Sequence, residues 1–518
     1  RIMVRLVKGA YWDSEIKRAQ VEGLQDFPVF TRKSATDVSY VCCAARLLGM
    51  TDRIYPQFAT HNATTVAAIL ALGQDKSKYE FQRLHGMGEV LHRKVMETEN
   101  TRCRIYAPVG PHRDLLAYLV RRLLENGANS SFVNQIVDEN VPPSVIAADP
   151  FETLEADMAK PAPHIRLPEN LFAPERRNSQ GWDLHNVNDL AAIEAARAPF
   201  RDSQWYAEPL MAGPFEGTAP TPVYNPADPG DHVGMVIGAT EQDVETALSA
   251  ATPWQDCPPD QRAAILQRAA DLYEKNFGLF FAVLTREAGK TPADVIAELR
   301  EAVDFLRYYA ARIPELENRP ARGLFACISP WNFPLAIFTG QIAAALAGGN
   351  GVLAKPADPT PIVAHIAVQL LHEAGVPRSV LQLLPGAGSI VGAKLVADRR
   401  INGVCFTGST TTGQTINRSM AETAAADAPL IAETGGLNAM IVDSTALPEQ
   451  AVKDIIDSSF RSAGQRCSAL RILFIQEDIA PSFLKMLFGA MDELTIGAPW
   501  DYATDLGPVI NEAARRQI

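Results

Sequence analysis

The chain has 518 residues, 47% of them apolar, and its 48 basic against 60 acidic side chains give a formal charge of −12. This length exceeds what one core needs, so we expect two or more domains, and the acidic balance argues against a nucleic-acid-binding surface. The seven cysteines include no CxxC pair, which argues against a disulfide framework or zinc site and favours a reducing, cytosolic compartment.

Residues 1–134 alternate short apolar segments with helical ones. Repeated βα units at this spacing predict a parallel sheet or a (β/α) barrel. In such barrels the chemistry lies at the carboxyl ends of the strands. The predicted strands are 3–7, 54–59, 79–83, 102–107 and 131–134, and the predicted helices are 14–22, 64–72, 89–96 and 112–126.

The predicted strand ends of this region carry many polar and aromatic side chains. On the last predicted helix Arg121 and Arg122 are adjacent, with Glu125 one turn beyond Arg121. Adjacent arginines are most often a solvated helix face, yet a fork of N–H donors near a polar sheet edge also suits a carboxylate substrate. The strand-end residues are Arg5, Lys8, Tyr11, Trp12, Thr31, Arg32, Lys33, Thr60, His61, Asn62, Gln82 and Tyr106.

Frequent prolines between 135 and 222 predict an extended connector with short helices rather than a core. Strand signals at 323–329, 351–355, 380–384 and 403–407 are each followed by a helical segment, which predicts a doubly wound α/β unit. The uncharged stretch 328–354 is long enough to be considered as a membrane span. Its prolines and its glycine-rich end instead predict a buried helix of about a dozen residues.

Two segments of the α/β unit suit a phosphate-bearing ligand. Lys355 ends the second strand, and Gly408 and Ser409 follow the fourth. Glycine at a strand end, followed by hydroxyl groups at a helix start, can receive a phosphate on backbone N–H groups. The pattern is not the GxGxxG fingerprint and is weak by itself.

Three further motifs together supply a nucleophile, a base and an oxyanion donor. Cys467 stands among small residues beside Arg466, which suits an accessible thiolate, whereas a lone cysteine is more often inert. Glu433 ends an apolar run before two glycines, and Asn332 offers its amide in a turn framed by prolines.

These three motifs resemble the aldehyde dehydrogenase superfamily. The resemblance implies that Cys467 attacks an aldehyde, that Glu433 activates water to hydrolyse the thioester, and that Asn332 holds the oxyanion. It also implies that Lys355 holds the adenosine ribose of NAD and that Gly408 and Ser409 lie at that cofactor.

The first region resembles the proline dehydrogenase barrel of the bifunctional proline utilisation A proteins. The resemblance implies that Arg121 and Arg122 bind the carboxylate of L-proline and that Tyr11 and Tyr106 enclose its ring. FAD contacts are implied for Arg5, Lys8, Trp12, Thr31, Arg32, Lys33, Thr60, His61, Asn62, Gln82 and Glu125.

Both resemblances imply an α/β fold: the C-terminal part of a (β/α)8 barrel, a proline-rich connector, and an aldehyde-dehydrogenase-type doubly wound domain with the start of its catalytic domain. The expected boundaries are 1–134, 135–222, 223–436 and 437–518. We expect a fragment cut at both ends, whose complete activity is in doubt, and a connector that docks the domains and channels the intermediate.

The implied activity is the oxidation of L-proline with FAD, followed by oxidation of glutamate semialdehyde to L-glutamate with NAD. The resemblance further implies a quinone electron acceptor, peripheral membrane contact, a cytoplasmic location and a homo-oligomer, with no nucleic acid bound by these residues. Two alternatives stay open: an aldehyde dehydrogenase fused to a barrel of other use, and a proline-responsive transcriptional repressor.

Overall fold

The computed structural model divides the chain into two units, 1–21 with 25–168 and 22–24 with 169–518. No helix among the described residues is long and apolar enough to cross a membrane. The structure describes residues 1–9, 11–110, 115–116, 120, 142, 144, 147–160, 165–316 and 319–517.

The first unit is built on a four-stranded parallel sheet in the order β1-β2-β3-β4. The alternation of strands and helices predicted for 1–107 is confirmed, and the predicted elements at 112–126 and 131–134 lie outside the described residues. The strands are β1 (Ile2–Val7), β2 (Ile54–Ala59), β3 (Glu80–Leu84) and β4 (Cys103–Tyr106). The helices are α1 (Trp12–Glu22), α2 (Lys33–Leu48), α3 (Ala63–Leu72), α4 (Glu89–Glu99) and α5 (Pro150–Met158).

One prediction for this unit is wrong. Thr31, Arg32 and Lys33 do not end a strand: Arg32 is the N-cap of α2, and Lys33 is its first residue. The buried residues of α2 are Ser34, Tyr40 and Ala44. Because two of these three are polar or small, the helix lacks the strong apolar periodicity that would have predicted it.

The second unit surrounds a five-stranded parallel sheet in the order β10-β9-β8-β11-β12. Its strands are β5 (Trp205–Ala207), β6 (Thr221–Asn225), β7 (Asp228–Val236), β8 (Leu324–Ile328), β9 (Gly351–Lys355), β10 (Leu381–Leu383), β11 (Ile401–Gly408), β12 (Leu430–Thr434), β13 (Asn438–Val442) and β14 (Leu470–Ile475). Its helices are α6 (Val187–Arg197), α7 (Glu241–Ala250), α8 (Pro259–Lys275), α9 (Phe277–Ala288), α10 (Pro292–Arg312), α11 (Ala336–Ala347), α12 (Pro361–Ala374), α13 (Ala393–Val396), α14 (Thr410–Thr423), α15 (Pro448–Phe460), α16 (Ala480–Asp492) and α17 (Glu512–Gln517).

The strand order places a topological switch point between β8 and β11. From β8 the chain moves outward through β9 to β10, then returns to pair β11 with the other edge of β8. In open α/β sheets ligands bind beyond the carboxyl ends of the strands at such a point. The doubly wound sheet is therefore confirmed, with β12 as a fifth strand that the four strand signals did not include.

Helices cover this sheet and bury its apolar strands. Helix α11 is the buried helix predicted within 328–354, and nine of its twelve residues are buried. Helix α9 is buried on nearly every side and ends at Gly289, whose φ of 68° suits glycine because it has no Cβ. Two smaller sheets, β13-β14 and β5-β7-β6, complete this unit.

Candidate functional site

The loop that carries Cys467 begins with a left-handed turn. Ser462 and Ala463 have φ angles of 54° and 53°, and Gly464 follows at 69°. Left-handed backbone costs a non-glycine residue about 1–2 kcal/mol, so surrounding contacts must hold this turn in place. Strained backbone of this kind is concentrated at active sites. Cys467 lies three residues further on and is exposed.

The side chain of Gln465 supplies several of those contacts. Its Nε2 donates to the carbonyl oxygens of Ser462 at 3.0 Å and Pro508 at 3.3 Å, and its Oε1 accepts from the backbone N–H of Ile510 at 2.8 Å. Arg471 adds a hydrogen bond to the carbonyl oxygen of Gly464 at 2.6 Å. Gln465 was not singled out from the sequence, although it stands two residues before the candidate nucleophile.

Asn332 reaches the same loop from the turn after β8. Its Nδ2 donates to the carbonyl oxygen of Gln465 at 3.0 Å. An amide nitrogen carries two protons, so the second stays available for another acceptor. The structure therefore brings the candidate oxyanion donor to the candidate nucleophile loop. A small cavity there is lined by Ala288, Gly289, Lys290, Trp331, Asn332, Ser462 and Gln465.

Glu433 lies near the carboxyl end of β12 with its side chain exposed. In the register of the sheet it is opposite Thr407, and the next pair is Thr434 with Gly408. The candidate base and the candidate cofactor turn therefore occupy the same edge of the sheet. Asn438, which the sequence did not indicate, ties the start of β13 to the nucleophile loop by donating to the carbonyl oxygen of Cys467 at 2.8 Å.

The candidate dinucleotide residues also lie on this edge. Lys355, at the end of β9, is buried and forms an ion pair with Asp358. A Cβ placed on Gly388 would lie 3.9 Å from Lys355 Nζ, so a glycine leaves room beside the ammonium group. Ser409 caps α14 by accepting from the backbone N–H of Thr412 at 3.2 Å. The Lys355 ammonium group beside Gly388 and the capped start of α14 fit the ribose and phosphates of NAD.

In the first unit a network of polar side chains connects three strands. Arg5 donates to Gln82 Oε1 at 2.9 Å, and its guanidinium lies 4.7 Å from the centre of the Tyr106 ring. Gln82 donates to Glu80 at 3.2 Å, and Arg104 donates to Glu80 at 2.6 Å. Glu80 was missed, although it is the one carboxylate in the predicted strand 79–83.

The environment of Glu80 keeps it ionised. Burial acts to raise the pKa of Glu80, but the hydrogen bonds from Arg104, Gln82 and Gln57 outweigh burial and lower this pKa. The anion in turn holds the side chain of Gln82, which orients Arg5. The network therefore fixes two of the side chains that resemblance assigns to FAD.

A second ionic cluster lies between β1 and α2. Asp37 forms ion pairs with Lys8 and with Lys33, the latter at 2.8 Å. Burial lowers the pKa of Lys8, and the adjacent Asp37 opposes that shift. Asp37 was also missed by sequence reasoning. Together with Arg5 and Gln82, these cationic and amide donors fit an anionic cofactor such as FAD.

Five further candidates for the flavin site have partners within the protein. His61 Nε2 accepts from the backbone N–H of Leu84 at 3.0 Å, and Trp12 Nε1 donates to the carbonyl oxygen of Phe30 at 2.7 Å.

Asn62 caps α3, and its own N–H donates to the hydroxyl of Thr60 at 3.1 Å. Arg32 donates to the carbonyl oxygen of Lys160 at 3.0 Å.

Two of the four predicted proline-binding residues are described. Tyr11 is exposed, and Tyr106 is half-buried beneath Arg5. Thr31 is half-buried in the segment before α2. Arg121 and Arg122, with the predicted flavin contact Glu125, lie outside the described residues. The role of each flavin and proline residue stays a prediction.

Comparison with known proteins finds two families in succession. The aldehyde dehydrogenase family matches residues 215–518, and the proline dehydrogenase family matches residues 1–135. The bifunctional protein PutA of Salmonella typhimurium is 54% identical over the whole chain, which covers 41% of that protein. The chain thus spans about two fifths of the length of such curated relatives.

A shorter relative and a solved structure agree with these matches. A 1-pyrroline-5-carboxylate dehydrogenase of Geobacillus sp. is 35% identical over 63% of this chain and 69% of that protein. The crystal structure of a mutant of Bradyrhizobium japonicum Proline Utilization A is 48% identical in sequence to this chain and superposes on it with a TM-score of 0.87. The superposition covers the whole of this chain and 52% of the crystallised chain. The chain therefore belongs to the aldehyde dehydrogenase family, and its first 135 residues match the proline dehydrogenase family.

Proposed function

We propose that the chain is part of a bifunctional oxidoreductase of proline catabolism. The first activity oxidises L-proline to Δ1-pyrroline-5-carboxylate, which water opens to glutamate semialdehyde, and the second oxidises this aldehyde to L-glutamate. The succession of two enzyme families along one chain supports both activities. A role as a proline-responsive repressor is not favoured, because both matched families are enzymes.

In the aldehyde reaction the Cys467 thiolate adds to the carbonyl carbon and forms a thiohemiacetal. The second N–H of the Asn332 amide donates to the oxyanion, a contribution worth roughly 3 kcal/mol for a single donor of this kind. Lys355, Gly408 and Ser409 would hold NAD, which would supply the acceptor for the hydride that leaves the thiohemiacetal carbon as the thioester forms. Glu433 then takes a proton from the water that hydrolyses the thioester, releasing L-glutamate and the free thiol.

In the proline reaction the protein binds and orients an amino acid. Arg121 and Arg122 pair with the carboxylate, while Tyr11 and Tyr106 enclose the ring. The polar residues predicted for the flavin would hold FAD, which would supply the two-electron acceptor. Support for a quinone acceptor, peripheral membrane contact, a cytoplasmic location and a homo-oligomer comes from the family resemblance alone.

The proposed domain division keeps the boundaries expected from the sequence. Residues 1–134 form the proline dehydrogenase part, 135–222 the connector, 223–436 the NAD-binding part, and 437–518 the start of the part that carries Cys467. The family matches at 1–135 and 215–518 support this division.

The observation that carries the aldehyde activity is the hydrogen bond from Asn332 to the backbone of Gln465. It joins the oxyanion donor to the nucleophile loop across 133 residues of sequence. The decisive test is Cys467→Ala in the intact protein, which should abolish NADH formation from glutamate semialdehyde and leave proline-dependent dye reduction intact. Cys257→Ala serves as the matched control and should change neither. Retained NADH formation in Cys467→Ala would contradict the assignment.

A further inference from the structure

Lys290 is a buried cation that contacts the backbone of Asn332. Its side chain is 6% exposed, and its Nζ donates to the carbonyl oxygen of Asn332 at 2.6 Å. The ammonium group also lies 4.7 Å from the centre of the Phe333 ring. Lys290 follows Gly289, the left-handed residue that ends α9. A residue outside the central sheet therefore fixes the peptide of the proposed oxyanion donor.

Glu298 completes a buried ion pair and holds the other end of the same turn. Its Oε1 lies 3.2 Å from Lys290 Nζ, and its side chain is 1% exposed. Its Oε2 accepts from the backbone N–H of Ala336, the first residue of α11, at 2.8 Å. Lys290 and Glu298 thus hold both ends of the segment 332–336, which connects the Asn332 turn to α11.

The helix that carries Glu298 also contacts the nucleophile loop. Asp294 lies one turn before Glu298, so both side chains project from one face of α10. Asp294 forms an ion pair at 3.4 Å with Arg461, the first residue of the turn that leads to Cys467. Arg461 also donates to the carbonyl oxygen of Ala293 at 3.3 Å. One face of α10 therefore contacts both loops of the proposed site.

A stability role alone does not account for this pair. Burial acts to raise the pKa of Glu298, and Lys290 acts in the opposite direction. Because desolvation offsets the attraction between buried charges, two apolar side chains of similar volume often stabilise a fold as well or better. Apolar side chains could not, however, donate to the carbonyl oxygen of Asn332 or accept from the N–H of Ala336.

We infer that Lys290 and Glu298 are positioning residues that orient the Asn332 amide toward the Cys467 loop. The inference rests on the proposed aldehyde oxidation, and it adds two residues that lie outside the three motifs. Without Lys290 the peptide of Asn332 loses its donor and can rotate, so the amide no longer meets the oxyanion at the right distance. Displacements of about 1 Å can slow an enzyme roughly 100-fold.

The test compares Lys290→Met, the double variant Lys290→Met/Glu298→Leu and Asn332→Ala in the intact protein. Lys275→Met, at an exposed position of α8, is the matched control. The measurements are Tm, the rate of Cys467 alkylation by iodoacetamide, and kcat and KM with glutamate semialdehyde and NAD. We expect Lys290→Met to lower both Tm and kcat, with kcat falling roughly 100-fold, while KM and alkylation change less than about threefold.

The double variant separates positioning from stability. It removes both buried charges, so we expect its Tm to recover while kcat stays as low as in Lys290→Met. Recovery of both quantities would show a purely structural pair and overturn the inference. A folded Lys290→Met with normal kcat would also overturn the inference. If Asn332→Ala is impaired in the same experiment, the proposed function would still stand. An unimpaired Asn332→Ala would instead overturn the proposed oxyanion role, and this inference with it.

Discussion

The side-chain amide of Asn438 donates to the carbonyl oxygen of Cys467 at 2.8 Å. The same nitrogen donates to the carbonyl oxygen of Ala469 at 3.0 Å. Asn438 is the first residue of β13 and follows Glu433 by five positions, so it connects the segment of the proposed base to the backbone of the nucleophile.

Replacing Asn438 should loosen the nucleophile loop without removing a reacting group. For Asn438→Ala we expect a roughly tenfold lower kcat for aldehyde oxidation, which corresponds to about 1.4 kcal/mol in the activation free energy. Steady-state kinetics with glutamate semialdehyde would measure it. Asn188→Ala, an exposed position on α6, should have no effect. Equal kcat values in the two variants would show that this contact does not position Cys467.

Glu433→Ala should affect the second half of the aldehyde reaction more than the first. Hydride transfer does not need the base, whereas thioester hydrolysis does, so the loss should slow turnover roughly 100-fold or more. Stopped-flow recording of NADH should then show a burst near one equivalent, followed by a slow steady phase. An unchanged steady rate would contradict the role assigned to Glu433.

Glu287 should make the stability of the second unit depend on pH. Its two carboxylate oxygens accept from the backbone N–H groups of Ile362 and Val363 at 2.7 and 2.9 Å. Complete burial nevertheless raises the pKa of Glu287 to about 8, against the opposing effect of these two donors. The folded protein therefore keeps the Glu287 proton up to about pH 8. The unfolded chain releases the same proton above about pH 4.3.

The free energy of unfolding should therefore fall as pH rises from about 5 to 8, by at most about 1.4 kcal/mol per pH unit. Glu287→Gln carries no titratable group, so its stability should depend less on pH across this window. Denaturant unfolding at several pH values would measure the difference, with the exposed Glu373→Gln as the control. Parallel pH profiles for wild type and Glu287→Gln would contradict the raised pKa.

Arg121 and Arg122 should recognise the proline carboxylate rather than retain the flavin. Truncating either to Ala removes a charge-assisted pair worth a few kcal/mol, so the KM for proline should rise roughly 100-fold. The flavin content, measured from the visible absorption spectrum, should stay near that of the wild type. Loss of FAD from the purified variants would place these arginines at the cofactor instead.

Local sequence patterns indicated the two families, the parallel strands and the three chemical motifs. These features are local: alternating apolar segments predict strands, and a cysteine among small residues or an amide between prolines is visible within about ten residues. The strands at 324–328, 351–355 and 381–383 lie within one residue of their predicted bounds. The weak apolar pattern of α2 explains why Thr31, Arg32 and Lys33 were wrongly placed at a strand end.

The contacts that hold those motifs together are tertiary, and local patterns did not predict them. Asn332 meets Gln465 across 133 residues, Lys290 meets Asn332 across 42, and Glu80 meets Arg104 across 24. Such pairs depend on which strands are neighbours and which helix faces the turn, and no local period encodes that choice. The left-handed turn at Ser462 and Ala463 also depends on tertiary contacts. The side chains of these two residues disfavour a left-handed backbone. The turn persists because Gln465, Arg471 and the segment 508–510 hold it.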